Sequence, residues 1–159
     1  MLVRTWALRG QTPILSALLS HKHISVMGGI TLSGRLLTWQ LDHACRGEDC
    51  VCFLRHLLRQ IAGKVLVIWD GLPAHRSQAV KDFLRAEAAD RLWLVALPAY
   101  APELNPIEAI WNYLKHFELA NLCTRSLDEL HPYLRRAIER LRHRKNIILS
   151  CFRHPFCYL

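Results

Sequence analysis

The rhythm of apolar and polar positions changes repeatedly along this chain, and the changes mark its elements. His23 to Leu32 (HISVMGGITL) is rich in β-forming residues, Ser33-Gly34 reads as a two-residue turn, and Arg35 to Leu41 resumes the extended pattern. Together they predict a β-hairpin. Gly47 to Ala62 shifts to helical period, with Leu54, Leu57, Leu58 and Ile61 on one face and Arg55 and Arg59 on another. Lys64 to Trp69 (KVLVIW) is a continuous apolar run ending at Asp70. Such a run predicts a strand buried on both faces, as at the centre of a sheet covered by helices. Gly71-Leu72-Pro73 breaks it, Ser77 to Ala89 predicts a helix with Val80, Phe83 and Leu84 turned inward, and Leu92 to Leu97 repeats the continuous apolar strand.

The stretch that follows, Leu97 to Lys115, reads LPAYAPELNPIEAIWNYLK. Pro106 suits a first helical position, where its missing N–H has no intrahelical partner, and Asn105 before it is a good N-cap. Glu108 then falls at the third position, where the ordinary role of an acid is to answer the N-cap N–H in a capping box. Ile107, Ile110, Trp111 and Leu114 share one face of this helix, and Glu108, Asn112 and Lys115 share the next. Farther on, Ser126 and Glu129 write a second capping box, but Pro132 is expected to break or kink that helix, so its main run is predicted to begin at Pro132. Arg135 to Lys145 carries six cations and the single acid Glu139, a run whose simplest role is a solvated face. The order of hairpin, helix, strand, helix, strand, helix predicts an α/β body over 1–145, with an apolar tail over 146–159. The first twenty residues are turn-rich and poorly periodic.

Length and composition place this body in a class. A chain of 159 residues that is 52% hydrophobic and 21% charged is one globular domain rather than a disordered segment. Twenty-one Lys and Arg against thirteen acids give a net charge of +8, and the pI near 9.5 is the footprint of a polyanion partner, nucleic acid ahead of an anionic membrane surface. The apolar runs are strand-length, so no transmembrane helix is expected. Arg4 and Arg9 followed by Ile14 to Leu19 imitate a signal peptide, but the apolar part is short and Pro13 interrupts its approach. The expected location is cytoplasmic, with no membrane partner. The six cysteines contain no C-x-x-C pair, which favours reduced thiols over disulfides or zinc; Cys151, His154 and Cys157 are the nearest approach to a ligand group.

The candidate chemistry lies in two acids. Asp70 follows a parallel-type strand at the edge where open α/β sheets place their ligands, and a neighbouring strand delivers the loop before Glu108 to the same edge. Carboxylates brought together repel unless protonated or bridged by a cation, and oxygen-only ligands favour Mg²⁺ or Mn²⁺. Paired hard metals activate water and stabilise the leaving oxygen in phosphodiester chemistry. Lys115, on the same helix as Glu108, is suited to a DNA phosphate.

With VIWDGLPAHRS and LPAYAPELNPIEAIWNYLK both present, the chain resembles the catalytic domain of DDE transposases of the bacterial six-thirty insertion-sequence family, which is related to mariner elements. The resemblance runs from about Arg4 to Lys115 and more loosely to Arg144. It implies a ribonuclease-H-like fold, a mixed sheet flanked by helices, in which three acids hold two Mg²⁺ or Mn²⁺ ions and the enzyme cuts and rejoins transposon DNA. By motif position Asp70 is the second acid and Glu108 the third, both catalytic and metal-binding, while His75, Arg76, Asn112 and Lys115 are DNA-contacting positions and Trp111 packs. The family's first aspartate lies on a strand before the RTWALRGQTP segment, where this chain begins, so the fold is expected to lack its first strand and the chain to be inactive alone. Asp42 has the wrong context to replace that acid. The resemblance further implies DNA partners at transposon ends and target, a nucleoid-associated location, and a homo-oligomer or a partner supplying the missing amino-terminal part. The alternative is a non-catalytic DNA-binding or oligomerising remnant with a regulatory role.

Overall fold

The computed structural model of the chain describes residues 9–10 and 24–153. Two short strands, β1 (Ser25–Ile30) and β2 (Leu36–Leu41), pair antiparallel from Ser25↔Leu41 to Ile30↔Leu36. Their connection is longer than the predicted two-residue turn. Gly34 N–H donates to Thr31 O at 2.8 Å and Thr31 N–H to Arg35 O at 3.0 Å, leaving Leu32, Ser33 and Gly34 as the loop. Gly34 has φ +79°, the left-handed residue that closes a three-residue hairpin after a type I turn.

The hairpin is the partition of the molecule. Neighbouring strand residues point to opposite faces, and Leu37 joins a core with Val51, Phe53, Leu54, Leu57, Val65, Val80, Phe83 and Leu92, whereas Leu36 joins one with Ile107, Ile110, Leu114, Leu134, Ile138, Leu141 and Ile148. The glycines of β1 repeat the division: Gly29 faces the Phe53 ring, and Gly28 lies so close to Trp111 that a Cβ there would stand 2.5 Å from the indole.

The first core is built by α1 (Gly47–Gln60) and α2 (Gln78–Phe83) against two parallel strands, β3 (Val65–Trp69) and β4 (Leu92–Ala96), in register from Val65↔Leu92 to Trp69↔Ala96. Helix α1 starts at Arg46, whose N–H donates to Asp49 Oδ2 at 2.8 Å. Helix α2 is capped by Ser77 and continues as a π-helical turn over Leu84–Ala88. The expectation of strands buried on both faces is corrected here. Val65 and Leu92 face the core, but Leu66 and Ile68 on β3 and Trp93 and Val95 on β4 are exposed. Helices α1 and α2 cover one face of this pair only, because the later helices stack on the hairpin instead. The mixed sheet is present in two pieces, and no ladder joins them among the described residues.

The second core is built by α3 (Ile107–Tyr113), which runs on as a π-helical turn over Leu114–Glu118, by α4 (Leu127–Arg142) and by α5 (Lys145–Ser150). The predicted break at Pro132 does not occur. Ser126 Oγ accepts Glu129 N–H at 3.1 Å and starts the helix five residues before the proline. The hydrogen bond the proline forfeits lies in the first two turns, and burial of Leu134, Ala137, Ile138 and Leu141 holds the rest. Glu129 does not close the predicted box: its carboxylate takes the N–H of Arg125 at 2.7 Å, one residue earlier than expected. The start of the tail docks on the body, with Ile148 and Cys151 buried in the second core. His154 and Cys157 lie outside the described residues.

Candidate active site

Asp70 ends β3 at the carboxyl edge of the parallel pair. Its Oδ1 accepts the N–H of Leu72 at 3.1 Å, the local bond by which a short acid turns the chain out of a strand. The same oxygen lies 2.9 Å from Nδ1 of His75, which is also 3.0 Å from the Asp70 carbonyl oxygen. His75 and Arg76 sit in a single 3₁₀ turn over Pro73–Arg76, not in an α-helix, and the imidazole stacks on Trp69 with centroids 4.2 Å apart and planes 2° from parallel. One indole therefore fixes the ring that fixes the acid. Asp70 keeps 43% of its side chain exposed, whereas His75 keeps 13%. Arg76 is exposed and makes no ion pair among the described residues.

Leu97 N–H donates to Trp69 O at 2.7 Å, so the loop leading to Glu108 leaves the sheet beside Asp70. Within it Tyr100 is fully exposed with φ +59°, an uncommon left-handed backbone for a residue with a side chain. A 3₁₀ turn over Pro102–Leu104 then feeds α3. The capping arrangement predicted for Asn105 is not formed. Pro106, already helical at φ −64° and ψ −17°, is the N-cap; the Asn105 N–H goes to Pro102 O, and the Asn105 carbonyl accepts Glu108 N–H at 3.0 Å. Glu108 stands one position earlier than expected, and its carboxylate has no hydrogen bond or ion pair among the described residues. The capping box, its ordinary explanation, is thus removed. Asn112 and Lys115 are exposed and, among the described residues, unpaired on the same helix, and Ile107, Ile110 and Leu114 are buried as expected.

Among the predicted site residues, direct contact is made between Asp70 and His75. Glu108, Asn112 and Lys115 follow along α3 from the loop that starts beside Trp69, with no direct bond to Asp70 among the described residues. No group of three or more His, Cys, Asp or Glu side chains gathers into a metal-binding set among those residues. All thirteen acids of the sequence fall within the described residues. Two carboxylates with free oxygens are donors of the kind that Mg²⁺ or Mn²⁺ takes.

Sequence reasoning missed the Trp69 platform, since an indole in an apolar strand looks like core. It also missed Glu118, whose side chain is 6% exposed and which accepts Arg140 Nε at 2.8 Å while Arg144 Nη1 lies at 3.5 Å. Those two cations therefore staple the end of the π-helical turn to the region of α4. Near the Asp70 edge, Cys45 Sγ lies 3.3 Å from Met27 Sδ and 3.7 Å from Cys50 Sγ. Burial raises both thiols, and with the Cys45 hydrogen bond added it pushes Cys50 up to about 12. These groups are protonated packing residues at neutral pH.

A parallel pair followed by an acid, an acid-bearing helix fed from the adjacent strand, and a basic body make this an α/β domain with its candidate site at a strand edge. Residues 2–131 match the family of DDE superfamily endonucleases, and the chain belongs to that family. Its fold is ribonuclease-H-like, similar to three solved structures: the Mos1 strand transfer complex (TM-score 0.58, 18% identity), the Mos1 transposase paired-end complex with left transposon end (0.59, 17%) and the Mos1 mariner paired-end complex with Mn (0.56, 18%). Each match covers 94% of this chain and 49 to 50% of the other, so the chain spans about half the length of those transposases. No curated protein matches it.

Proposed function

We propose that this chain is catalytic-domain sequence of an insertion-sequence transposase of the six-thirty type, acting on transposon-end and target DNA with divalent metal. Asp70 and Glu108 are its two metal-binding carboxylates. The observation that carries the reading is the Glu108 carboxylate: it lies in the first turn of a helix reached by the loop that leaves the sheet next to Asp70, within a family-specific motif, yet performs no capping and has no partner among the described residues. Bound Mg²⁺ or Mn²⁺ would polarise the scissile phosphate and lower the pKa of an attacking water. Around it, His75 holds Asp70 Oδ1 and leaves Oδ2 for the ion, while Arg76, Asn112 and Lys115 offer exposed donors to flanking phosphates.

Two acids fall short of the three that the family employs, and no remaining acid of the sequence joins them in a metal-binding set. The same observation favours a second reading, a DNA-binding chain without chemistry of its own. In the first reading a third carboxylate from outside these 159 residues completes the site, and residues 1–159 by themselves do not cut. A nicking assay on supercoiled plasmid with Mn²⁺ decides between them. The chain alone is expected to leave the plasmid intact. Adding a polypeptide that carries a strand ending in Asp, taken from a full-length relative, is expected to restore nicking that either Asp70→Asn or Glu108→Gln abolishes. Restored nicking that survives both substitutions would contradict the assignment, and salt-sensitive binding with no nicking in any combination would establish the second reading.

A further inference from the structure

At the edge opposite Asp70 lies a groove of about 500 Å³ between the hairpin loop, the end of α1 and the junction of α4 with α5. It is lined by Ser33, Arg35, His56, Gln60, Arg142 and Lys145 together with Gly34, Leu36 and Leu37, and no acid is among these residues. Its place follows from the topology. Helix α1 begins at Gly47 against Ser77, the residue that follows the 3₁₀ turn holding His75, and ends at Gln60 shortly before β3 starts at Val65. The groove therefore lies toward the end of β3 away from Asp70, a strand whose five residues span roughly 17 Å at about 3.3 Å each.

Its cations are held in three different ways. Arg35 is a structural clamp, donating from Nη1 to Gln60 O at 2.8 Å and from Nη2 to Gln60 Oε1 at 3.3 Å. Arg142 is oriented by Thr38 Oγ1 at 2.9 Å, and Glu139, 3.2 Å from Nη1, shares its charge. Lys145 is unpaired among the described residues, its stem lying over Gly34, where a Cβ would come within 2.5 Å of the Lys145 Cγ. A glycine at φ +79° is what lets that stem approach the loop. The lining combines fixed guanidinium groups, one unpaired ammonium and the Ser33 hydroxyl. This set recognises phosphate oxygens, and the groove is open, as a continuous backbone requires.

We propose that this groove seats the phosphate backbone of duplex DNA, making a second contact surface on the edge opposite the candidate active site. The inference rests on the reading of the chain as DNA-binding but is independent of any chemistry at Asp70 and Glu108. The contact is electrostatic and needs no metal, and it engages a stretch of DNA other than the one at the catalytic edge. Neutralising a phosphate releases counterions, so each cation in contact steepens the salt dependence of binding by close to one unit in log K against log salt.

The test is fluorescence anisotropy of the full chain with a labelled 30-base-pair duplex of arbitrary sequence, in EDTA, across a salt series. Lys145→Ala is expected to weaken binding several-fold and to lower the slope by about 0.9, and Lys145→Glu to weaken it about tenfold or more. Arg142→Gln acts in the same direction. Thermal melting checks that each variant is folded, and the alanine variant guards against repulsion introduced by the glutamate. Wild-type affinity and slope in folded Lys145→Ala and Lys145→Glu would overturn the proposal. So would a loss of heparin binding with duplex binding intact, which would assign the groove to a different polyanion. Because the readout is binding without metal, its failure is separable from failure of the nicking assay.

Discussion

Asp70, His75 and Trp69 form the one small assembly in which a candidate catalytic acid is visibly oriented by its neighbours. Removing the imidazole frees Oδ1 and forfeits a stacked pair worth about 0.5–1.5 kcal/mol. His75→Ala is therefore expected to lower Mn²⁺ affinity about tenfold, the effect of losing a group that orients a ligand. Titration followed by Mn²⁺ electron paramagnetic resonance measures it, and Trp69→Phe, which retains a ring to stack on, should lose less. Both acids could be proposed from the sequence because strand-Asp-turn and LNPIE are specific patterns. The support beneath Asp70 was not, since periodicity reports whether Trp69 faces inward but not which ring meets it. Glu108 was legible as a helix-opening acid while its capping role was misread, because Pro106 accepts helical dihedrals and takes the N-cap position itself.

At the scale of elements, local signals marked the starts of helices better than their persistence or their partners. Ser126 marks the beginning of α4, yet Pro132 passes inside it because apolar burial downstream outweighs one lost hydrogen bond. Glu118 pairs with Arg140 across 22 residues, beyond the reach of any sequence window. Its carboxylate is nearly buried while Arg140 and Arg144 stay about half exposed, so Glu118→Ala loses charge-assisted hydrogen bonds but leaves guanidinium groups that water can solvate, and is expected to cost about 1–3 kcal/mol in denaturant unfolding. Gly28→Ala drives a methyl into Trp111 and should cost about 1–3 kcal/mol by overpacking, with wild-type stability regained in part by Trp111→Leu. Between α1 and the turn after α2, the Arg55 hydrogen bond holds the Glu87 carboxyl below its ordinary range. A depressed carboxyl stabilises the fold above its unfolded pKa and loses that contribution as pH falls through its folded pKa. The melting temperature of wild type should exceed that of Glu87→Gln at neutral pH, and the gap should close in acid.

Across the whole molecule, the chain is two cores divided by a hairpin, which alternation along β2 makes possible by sending Leu36 and Leu37 opposite ways. Leu54→Ala in one core and Ile110→Ala in the other should each cost about 2–5 kcal/mol, since both side chains are fully buried. The order of elements was readable from hydrophobic rhythm. The exposure of Leu66, Ile68, Trp93 and Val95 was not, because an apolar run states that a strand can be covered on both faces and is silent on whether a covering layer is there. Cationic character was likewise plain in composition, but its division among structural staples, the exposed edge of the candidate site and a groove at the far edge required the fold. The central claim is that Asp70 and Glu108, 38 residues apart in sequence and drawn from a strand end and a helix start, hold one divalent ion. Paramagnetic broadening by substoichiometric Mn²⁺ in amide NMR spectra measures this directly. Resonances near Asp70 and near Glu108 should broaden together and both recover in either Asp70→Asn or Glu108→Gln, whereas broadening at one acid that persists when the other is replaced would contradict the account.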